Sequence, residues 1–208
     1  MDMRKKALIL DLDNTIYPVS SIGETLFAPL FELIEKDKHV SDRIDEIKNE
    51  VMRRPFQTVA KEFNFSEELT NKGIEILKGI SYKGKIEPFE DYKIIRELPI
   101  DKFLVTAGFT KMQQSKVDSM QLQRDFKEIH IIDSTTTKKV KKDYFIEIVE
   151  RNRYNKSEVM IIGDDLHSEI KAAQELAIDA VLYDKAGLYK EEKSIIRITD
   201  FAELKKYL

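Results

Sequence analysis

The first apolar run of the chain leads directly into acidic residues. Ala7-Leu8-Ile9-Leu10 is followed by Asp11-Leu12-Asp13-Asn14-Thr15, in which one residue separates the two acids. A short, continuous apolar run is typical of a buried strand. Carboxylates at the end of such a strand need a compensating charge, and a divalent cation is one candidate. The pattern predicts a buried strand with an acidic site at its carboxyl end, although a strand followed by an acidic turn would have the same sequence.

The segment from residue 19 to residue 85 has the periodicity of helices and no run typical of a strand. Apolar residues recur at helical spacing in four groups, which are Leu26, Leu30 and Leu33; Ile44, Ile47 and Val51; Phe56, Val59 and Phe63; and Leu69, Ile76 and Ile80. Ser66, followed by two glutamates, is typical of a helix N-terminus. We predict a small helical subdomain at 19–85, inserted into a domain formed by residues 1–18 and 86–208.

Strand and helix patterns alternate after residue 86. Short apolar runs predict strands at 103–105, 129–132, 159–162 and 180–183. Helices are predicted at 88–98, 110–122, 142–151 and 168–176, followed by a final helix that Asp200 and Glu203 cap. Thr110 and Gln113 also have the spacing of a capping box. This alternation predicts an α/β fold with a doubly wound parallel sheet.

Composition limits the partners and the chemistry. The chain has 208 residues, 42% of them hydrophobic, which is enough for a substantial core. A formal net charge of -3 gives no reason to expect a nucleic acid polymer or an anionic membrane as partner. With no cysteine, disulfides, thiolate metal sites and a cysteine nucleophile are excluded. No apolar run is long enough for a membrane span or a signal-peptide core, so we expect a cytoplasmic protein with a small-molecule partner and leave its oligomeric state open.

Polar residues follow several of the predicted strands at the point where each strand ends. Asp11 and Asp13 follow the first strand, Thr106 follows the second, and Asp164 follows a later one. Each has an ordinary structural explanation when taken alone, because Thr106 could simply end a strand and Asp164 could cap a helix. Ligands bind beyond the carboxyl ends of the strands in open parallel sheets. The joint pattern therefore predicts a functional site at this edge.

These residues resemble the motifs of the haloacid dehalogenase superfamily, in its phosphatase branch. The resemblance covers most of the chain outside the helical segment. The matches are Asp11-Leu12-Asp13-Asn14-Thr15 to the first motif, Thr106 to the hydroxyl of the second, Lys139 to the basic third, and Gly163-Asp164 with Glu169 to the acidic fourth. The segment at 19–85 resembles the helical cap of this superfamily, which closes over the substrate and excludes water.

Three lysines, Lys138, Lys139 and Lys141, compete for the third motif. We select Lys139, because Phe145 and Val159 then lie where the family has a helix aromatic and the start of the next strand.

Three other positions depart from the commoner family pattern. They are Ala107 in place of asparagine, Val140 in place of proline, and Glu169 in place of aspartate. Glu169 keeps a carboxylate, so the acidic fourth motif is retained.

The resemblance implies a role for each acid. Asp11 would attack phosphorus and form an aspartyl-phosphate. Asp13 would protonate the departing alkoxide and then activate water. Mg²⁺ would be bound by Asp11, the backbone carbonyl of Asp13 and Asp164, with Glu169 orienting the metal shell. Thr106 would donate a hydrogen bond to a phosphoryl oxygen.

Two further implications concern charge and reaction type. Lys139 would neutralise the negative charge at Asp11. An acid at Asp13 favours phosphate esters over dehalogenation, because a departing halide needs no proton. The resemblance thus implies a Mg²⁺-dependent phosphomonoester hydrolase for a small phosphorylated metabolite, and a weaker similarity to the pyrimidine 5'-nucleotidase-like members suggests a nucleoside 5'-monophosphate. A phosphosugar mutase or phosphotransferase, a non-catalytic phosphate- or nucleotide-binding protein, and a purely structural α/β domain are the alternatives.

Overall fold

Six parallel strands form a sheet at the centre of the protein. In this computed structural model, which describes residues 4–208 apart from the side chain of Ser41, they are β1 (Ala7–Leu10), β2 (Asp101–Ala107), β3 (Glu128–Ile132), β4 (Val159–Gly163), β5 (Asp179–Tyr183) and β6 (Ile196–Ile198). Their order across the sheet is β3-β2-β1-β4-β5-β6, and every neighbouring pair is parallel. The predicted α/β class with a doubly wound parallel sheet is confirmed.

The helices fall into two groups. The segment after β1 contains α1 (Gly23–Leu26), α2 (Ala28–Glu35), α3 (Ile44–Val51), α4 (Phe56–Glu62) and α5 (Glu67–Gly79). The rest of the chain contains α6 (Tyr92–Glu97), α7 (Thr110–Ser119), α8 (Lys141–Arg151) and α9 (Lys171–Leu176), with a π-helical turn at Leu166–Ile170 leading into α9. Within residues 4–208, no helix is long and apolar enough to cross a membrane.

Strand β1 is buried on both faces. Leu8 and Leu10 pack in one apolar core, together with side chains of α6, α7 and the helical segment. Ala7 and Ile9 pack in a second core, formed with α8 and α9. Successive side chains of a strand point to opposite faces, so a strand covered on both sides is apolar at every position. This explains the uninterrupted apolar run that precedes the two acids.

The segment between β1 and α6 is helical, as its apolar periodicity predicts. The side chain of Ser66 accepts a hydrogen bond from the backbone N–H of Leu69 at 3.1 Å, which confirms the predicted N-terminus of α5. Inward-facing residues such as Leu30 and Ile47 are fully buried and belong to the same apolar core as Leu10. The division into a helical subdomain at 19–85 and a separate α/β domain stays a prediction.

The register of the three central strands brings the polar residues together. Leu10 lies opposite Leu104 of β2 and Ile162 of β4. Thr106 and Asp164 each lie two residues beyond these partners, on strands parallel to β1. The residues after Leu10, Leu104 and Ile162 therefore reach one edge of the sheet, as the sequence predicts.

Three features of the fold differ from prediction. The helix predicted over 88–98 is shorter and begins at Tyr92, because the chain before it is bonded to the loop after β1: the backbone N–H of Phe89 donates to the carbonyl of Ile16 at 2.8 Å. The last helix is a 3-10 helix, although the predicted cap is present: Asp200 accepts the backbone N–H of Ala202 at 2.8 Å. Strand β6 is only three residues long and was not predicted.

Candidate active site

The chain turns away from the sheet directly after Asp13. Asn14 has a left-handed backbone conformation, with φ of 56°, which asparagine adopts more readily than most residues. Its side-chain oxygen accepts the backbone N–H of Val19 at 3.1 Å, so the turn is tied to the start of the helical segment. Asp11 and Asp13 consequently remain at the end of β1, where both line a cavity.

Lys141, the first residue of α8, lies between two carboxylates. Its Nζ is 2.5 Å from Oδ1 of Asp11 and also contacts Oε1 of Glu169. The Asp11 and Glu169 side chains are buried, and only 11% of the Lys141 side chain is exposed. A buried charge is tolerated only beside a partner of opposite sign. Lys141 thus neutralises part of the charge of both acids and restrains the carboxylate of Asp11.

The sequence assigned this position to Lys139, and the structure corrects that choice. Lys139 Nζ pairs with Glu147 at 2.5 Å, and half of the Lys139 side chain is exposed. Helix α8 begins two residues after Lys139, at Lys141. The residue before the helix, Val140, donates its backbone N–H to Oδ2 of Asp143 at 2.8 Å. Lys139 therefore belongs to the extended segment before the helix, whereas Lys141 starts the helix and reaches Asp11.

Asp164 lies close enough to Asp11 for their negative charges to interact. Burial, followed by the charge of Asp11, raises the pKa of Asp164 well above its usual value. Burial also raises the pKa of Asp11, although the charge of Lys141 acts in the opposite direction. Two carboxylates in this relationship favour the binding of a cation, which would stabilise both charged forms.

The donor set fits Mg²⁺ better than a transition metal. Within residues 4–208, no three His, Cys, Asp or Glu side chains converge in the geometry of a metal site. Mg²⁺ needs fewer protein ligands, because it keeps several waters and is often bound by one or two carboxylates. Asp11 and Asp164 would supply two such carboxylates, and the backbone carbonyl of Asp13 would supply a third oxygen. Glu169 Oε2 is buried without a hydrogen-bond partner, so this acid has an oxygen free to accept from a metal-bound water.

Asp13 is surrounded by hydrogen-bond donors. Its Oδ1 accepts from the hydroxyl of Tyr17 at 2.6 Å and from Nζ of Lys116 at 2.8 Å. Its Oδ2 accepts from Lys116 at 3.0 Å and from Nε2 of Gln113 at 2.9 Å. Burial would raise the pKa of Asp13, but the charge of Lys116 and these hydrogen bonds outweigh it and lower the pKa.

Thr106 is buried at the end of β2 and is linked to Asp13 through Gln113. Its Oγ1 accepts from Nε2 of Gln113 at 2.7 Å. The predicted capping box of Thr110 and Gln113 is wrong, because Thr110 is the first residue of α7 and its hydroxyl donates to Asp133 at 3.1 Å. The side chain of Gln113 therefore serves the site and not the helix end.

A cavity of about 480 Å³ lies between this edge of the sheet and the helical segment. Its polar wall contains all six sequence-predicted site residues, together with Lys141: Asp11, Asp13, Thr106, Lys139, Asp164 and Glu169. Its apolar wall includes Phe27, Val51, Met52, Phe56 and Leu77 from the helical segment and Phe109 and Met112 from the region after β2. The cavity thus has a charged end that suits a phosphate and an apolar side that suits a larger organic group.

Comparison with protein families identifies the chain. Residues 8–183 match the family model described as haloacid dehalogenase-like hydrolase. The chain belongs to this family. The resemblance inferred from the motifs is therefore confirmed at the level of the superfamily. Comparison with curated protein sequences gives no significant match.

Solved structures of haloacid dehalogenase-like hydrolases share the fold over nearly the whole chain. YfnB from Bacillus subtilis, a HAD-hydrolase bound to magnesium, is 22% identical, with a TM-score of 0.68 and 99% of both chains covered. SP0104 from Streptococcus pneumoniae is 15% identical, with a TM-score of 0.71 and 99% of both chains covered. A HAD phosphatase from Thermococcus onnurineus is 17% identical, with a TM-score of 0.65 and 97% of both chains covered.

Sequence reasoning missed three residues of this hydrolase that contact Asp13, namely Tyr17, Gln113 and Lys116. For one of them, Lys116, the sequence contains a detectable signal. Met112, Lys116 and Met120 recur at helical spacing, so a lysine occupies the middle of an apolar stripe on α7. A charged residue in such a place must have a buried partner, and Asp13 is that partner.

Proposed function

We propose that this hydrolase is a Mg²⁺-dependent phosphomonoesterase that acts on a small phosphorylated metabolite through an aspartyl-phosphate on Asp11. The observation that carries the proposal is the second acid, Asp13, which lines the same cavity as Asp11. An alkoxide leaving group requires a proton, whereas a halide does not. A site with both acids therefore suits a phosphate ester better than a haloacid.

In the first step, a carboxylate oxygen of Asp11 attacks phosphorus and the ester oxygen departs. Lys141 holds Oδ1 of Asp11 at 2.5 Å, which leaves the other oxygen available for attack and places a positive charge beside the reacting group. The hydroxyl of Thr106 donates to a phosphoryl oxygen. Asp11, Asp164 and the backbone carbonyl of Asp13 would hold Mg²⁺, which would supply further positive charge to the phosphoryl oxygens.

Asp13 transfers protons in both steps. As an acid it protonates the departing alkoxide, and as a base it then removes a proton from the water that attacks the aspartyl-phosphate. About a quarter of its side chain, 27%, is exposed. Asp13 therefore presents a carboxylate surface to the cavity while its other contacts hold it in place.

The cavity and the relatives support a phosphate ester with a sizeable organic group. Phe27 and Phe56 pack within the helical segment and also line the cavity. The match to a HAD phosphatase supports phosphatase activity, and the magnesium bound to YfnB supports the choice of metal. A nucleoside 5'-monophosphate has both a phosphate and a large planar group, so nucleotides are the first substrates to test.

The proposal is tested with purified protein and a panel of nucleotides, sugar phosphates and phosphoglycolate, with Mg²⁺ present or removed by a chelator. We expect phosphate release that needs Mg²⁺ and is lost in the Asp11→Asn variant. Halide release from a 2-haloacid without phosphate release would contradict the proposal.

Two alternatives predict other results in the same panel. A phosphotransferase or mutase would transfer the phosphoryl group to an added acceptor sugar in preference to water. A binding protein would be stabilised by Mg²⁺ with a phosphate mimic in a thermal unfolding assay, but it would release no phosphate from any ester.

A further inference from the structure

We propose that Lys116 is a positioning residue that holds the carboxylate of Asp13 at the cavity wall, and that helix α7 thereby sets the proton-transfer geometry of the site. This inference rests on the proposed role of Asp13 as the group that carries protons. It adds to the four motifs a residue from outside them, on a helix that also contributes Met112 and Val117 to the apolar core.

The burial of Lys116 carries the argument. Only 1% of Lys116 is exposed, yet its Nζ lies 2.8 Å and 3.0 Å from the two oxygens of Asp13. Burying an ammonium is costly unless it is paired and hydrogen-bonded, and a methionine or leucine would fill the same space without that cost. A lysine at this place therefore indicates a requirement for its charge and its donors.

The contacts hold Asp13 from one side only. Lys116 bridges both carboxylate oxygens, and the hydroxyl of Tyr17 and the amide of Gln113 each add one donor. Nevertheless Asp13 keeps 27% of its side chain exposed and lines the cavity. The carboxylate is thus restrained in direction while part of it stays available to a substrate.

Gln113 extends the restraint to the predicted phosphate-binding residue. Its Nε2 donates to Asp13 at 2.9 Å and to Oγ1 of Thr106 at 2.7 Å. Gln113 and Lys116 are three residues apart on α7, so they lie on the same helix face. Gly108 makes room for Gln113, because a Cβ there would lie 2.9 Å from Cγ of Gln113. One helix therefore fixes Asp13 relative to Thr106.

A purely structural ion pair is the competing explanation. It would lower stability on removal and would slow all substrates equally, whatever the leaving group. A positioning residue acts only through Asp13. In the first step its loss should therefore matter most for poor leaving groups, which need the proton, and least for p-nitrophenyl phosphate, whose leaving group does not.

The test is a double-mutant cycle of Lys116→Met and Asp13→Asn, with kcat/KM measured for an alkyl phosphate and for p-nitrophenyl phosphate. The ratio kcat/KM reports the first step alone, whereas kcat also contains hydrolysis of the aspartyl-phosphate, which is the same for both esters. We expect Lys116→Met alone to lower kcat/KM for the alkyl ester by about 100-fold, the scale of a misplaced catalytic group, and kcat/KM for the aryl ester by less than about 10-fold. In the Asp13→Asn background, Lys116→Met should change kcat/KM by less than about 3-fold, because the group it positions is gone.

Lys102→Met is the matched control. Lys102 is also a buried lysine, but its Nζ donates to the backbone oxygens of Leu98 and Ile100, away from the cavity. We expect the Lys102→Met variant to be less stable than the wild type but equally active on both esters. Should Lys116→Met not fold, Lys116→Arg and Tyr17→Phe replace it in the cycle, with the same dependence on Asp13 and on the leaving group but smaller losses.

The possible failures are separable. If Lys116→Met lowers kcat/KM equally for both esters, or by the same factor in both backgrounds, the positioning role is wrong while the phosphatase activity stands. If the wild-type protein releases no phosphate from any ester, the proposed function itself is wrong, and the inference is overturned with it.

Discussion

Two acids that are only two residues apart in the sequence lie in opposite environments. Asp11 has one cationic partner, Lys141, and a repelling neighbour in Asp164, and its pKa is raised by burial. Asp13 has Lys116 and two neutral donors around it, and its pKa is lowered. The chemistry of the side chain is the same in both places. The difference arises from the groups that the fold brings to each acid.

The partners of the two acids come from opposite faces of the sheet. Lys141 starts α8, which packs with Ala7 and Ile9, whereas Lys116 lies on α7, which packs with Leu8 and Leu10. Each acid therefore has its own supporting helix. We assign nucleophilic attack to Asp11, which Lys141 contacts, and proton transfer to Asp13, which Lys116 holds at the cavity wall.

The largest effect is expected from Asp11→Asn, which removes the nucleophile and leaves Asp13 and its donors in place. Loss of a covalent nucleophile should lower kcat by at least about 10⁴-fold. Phosphate release measures the loss, and circular dichroism shows whether the variant is folded. A folded variant with near-normal kcat would contradict the assignment of Asp11.

A smaller but still large effect is expected from Lys141→Met. The charge that stabilises the reacting group is then missing, and kcat/KM should fall by about 10² to 10³-fold. Lys139→Met is the matched control. Lys139 also lines the cavity, but its Nζ pairs with Glu147, so its loss should change kcat/KM by less than about 2-fold. A larger loss of kcat/KM in Lys139→Met than in Lys141→Met would favour Lys139, the lysine selected from the sequence.

Gly163→Ala should disturb the surroundings of Asp11, because it displaces Glu169. A Cβ on Gly163 would lie 2.6 Å from Cγ of Glu169, so that the acid beside Lys141 must move. We expect kcat to fall by about 10 to 100-fold, as for other groups that orient a metal shell, and the apparent Kd for Mg²⁺ to rise. Gly79→Ala is the control, since no atom lies within 4 Å of its Cβ position. Equal metal affinity in both variants would count against a role for Glu169.

The smallest effect is expected from Asp133→Asn. This substitution acts on the surroundings of Asp13, because Asp133 bonds to the start of α7. Asp133 accepts the backbone N–H of Thr110, at the start of α7, at 2.9 Å and that of Thr135 at 3.0 Å. We expect the free energy of unfolding at pH 7 to fall by about 1 to 3 kcal/mol, with kcat changed only a few-fold.

The pH dependence of this variant has a definite sign. Burial acts against ionisation of Asp133, but the donors of Thr135 and Thr110 outweigh it and lower the pKa of Asp133. Its stabilising contribution is therefore complete above the unfolded pKa of about 4 and is lost as the pH falls further, through the lower folded pKa. Urea unfolding should show a gap between wild type and variant that narrows below about pH 4. A gap that is constant down to pH 2 would exclude this mechanism.

The general position of the site could be predicted from sequence, because it depends on strand ends. Apolar runs identify strands, and parallel strands bring the residues after Leu10, Leu104 and Ile162 to one edge. This pattern needs no knowledge of side-chain geometry. It sufficed to bring together Asp11, Asp13, Thr106 and Asp164 as candidates, and all four line the cavity. Glu169 and Lys139, which the resemblance to the family added, line it as well.

The partners of the acids were harder to predict, because they depend on where helices begin. Helix α8 was predicted to begin at residue 142, but it begins at Lys141. This start places the side chain of Lys141, and not that of Lys139, beside Asp11. Likewise Gln113 has the spacing of a capping residue, yet its side chain is drawn to Asp13 and Thr106 because α7 begins at Thr110 itself. Shifts of one or two residues at a helix end are within the usual uncertainty of sequence patterns, but each moves a side chain to another face.

The most direct test of the central claim is capture of the phosphorylated enzyme. The protein is mixed with a phosphate ester and Mg²⁺, quenched in acid within one turnover, digested, and analysed by mass spectrometry. The account predicts one phosphoryl group on the peptide that contains Asp11, sensitive to hydroxylamine and missing in the Asp11→Asn variant. Turnover of the ester with no phosphoryl group on that peptide, or with the group on another residue, would contradict it.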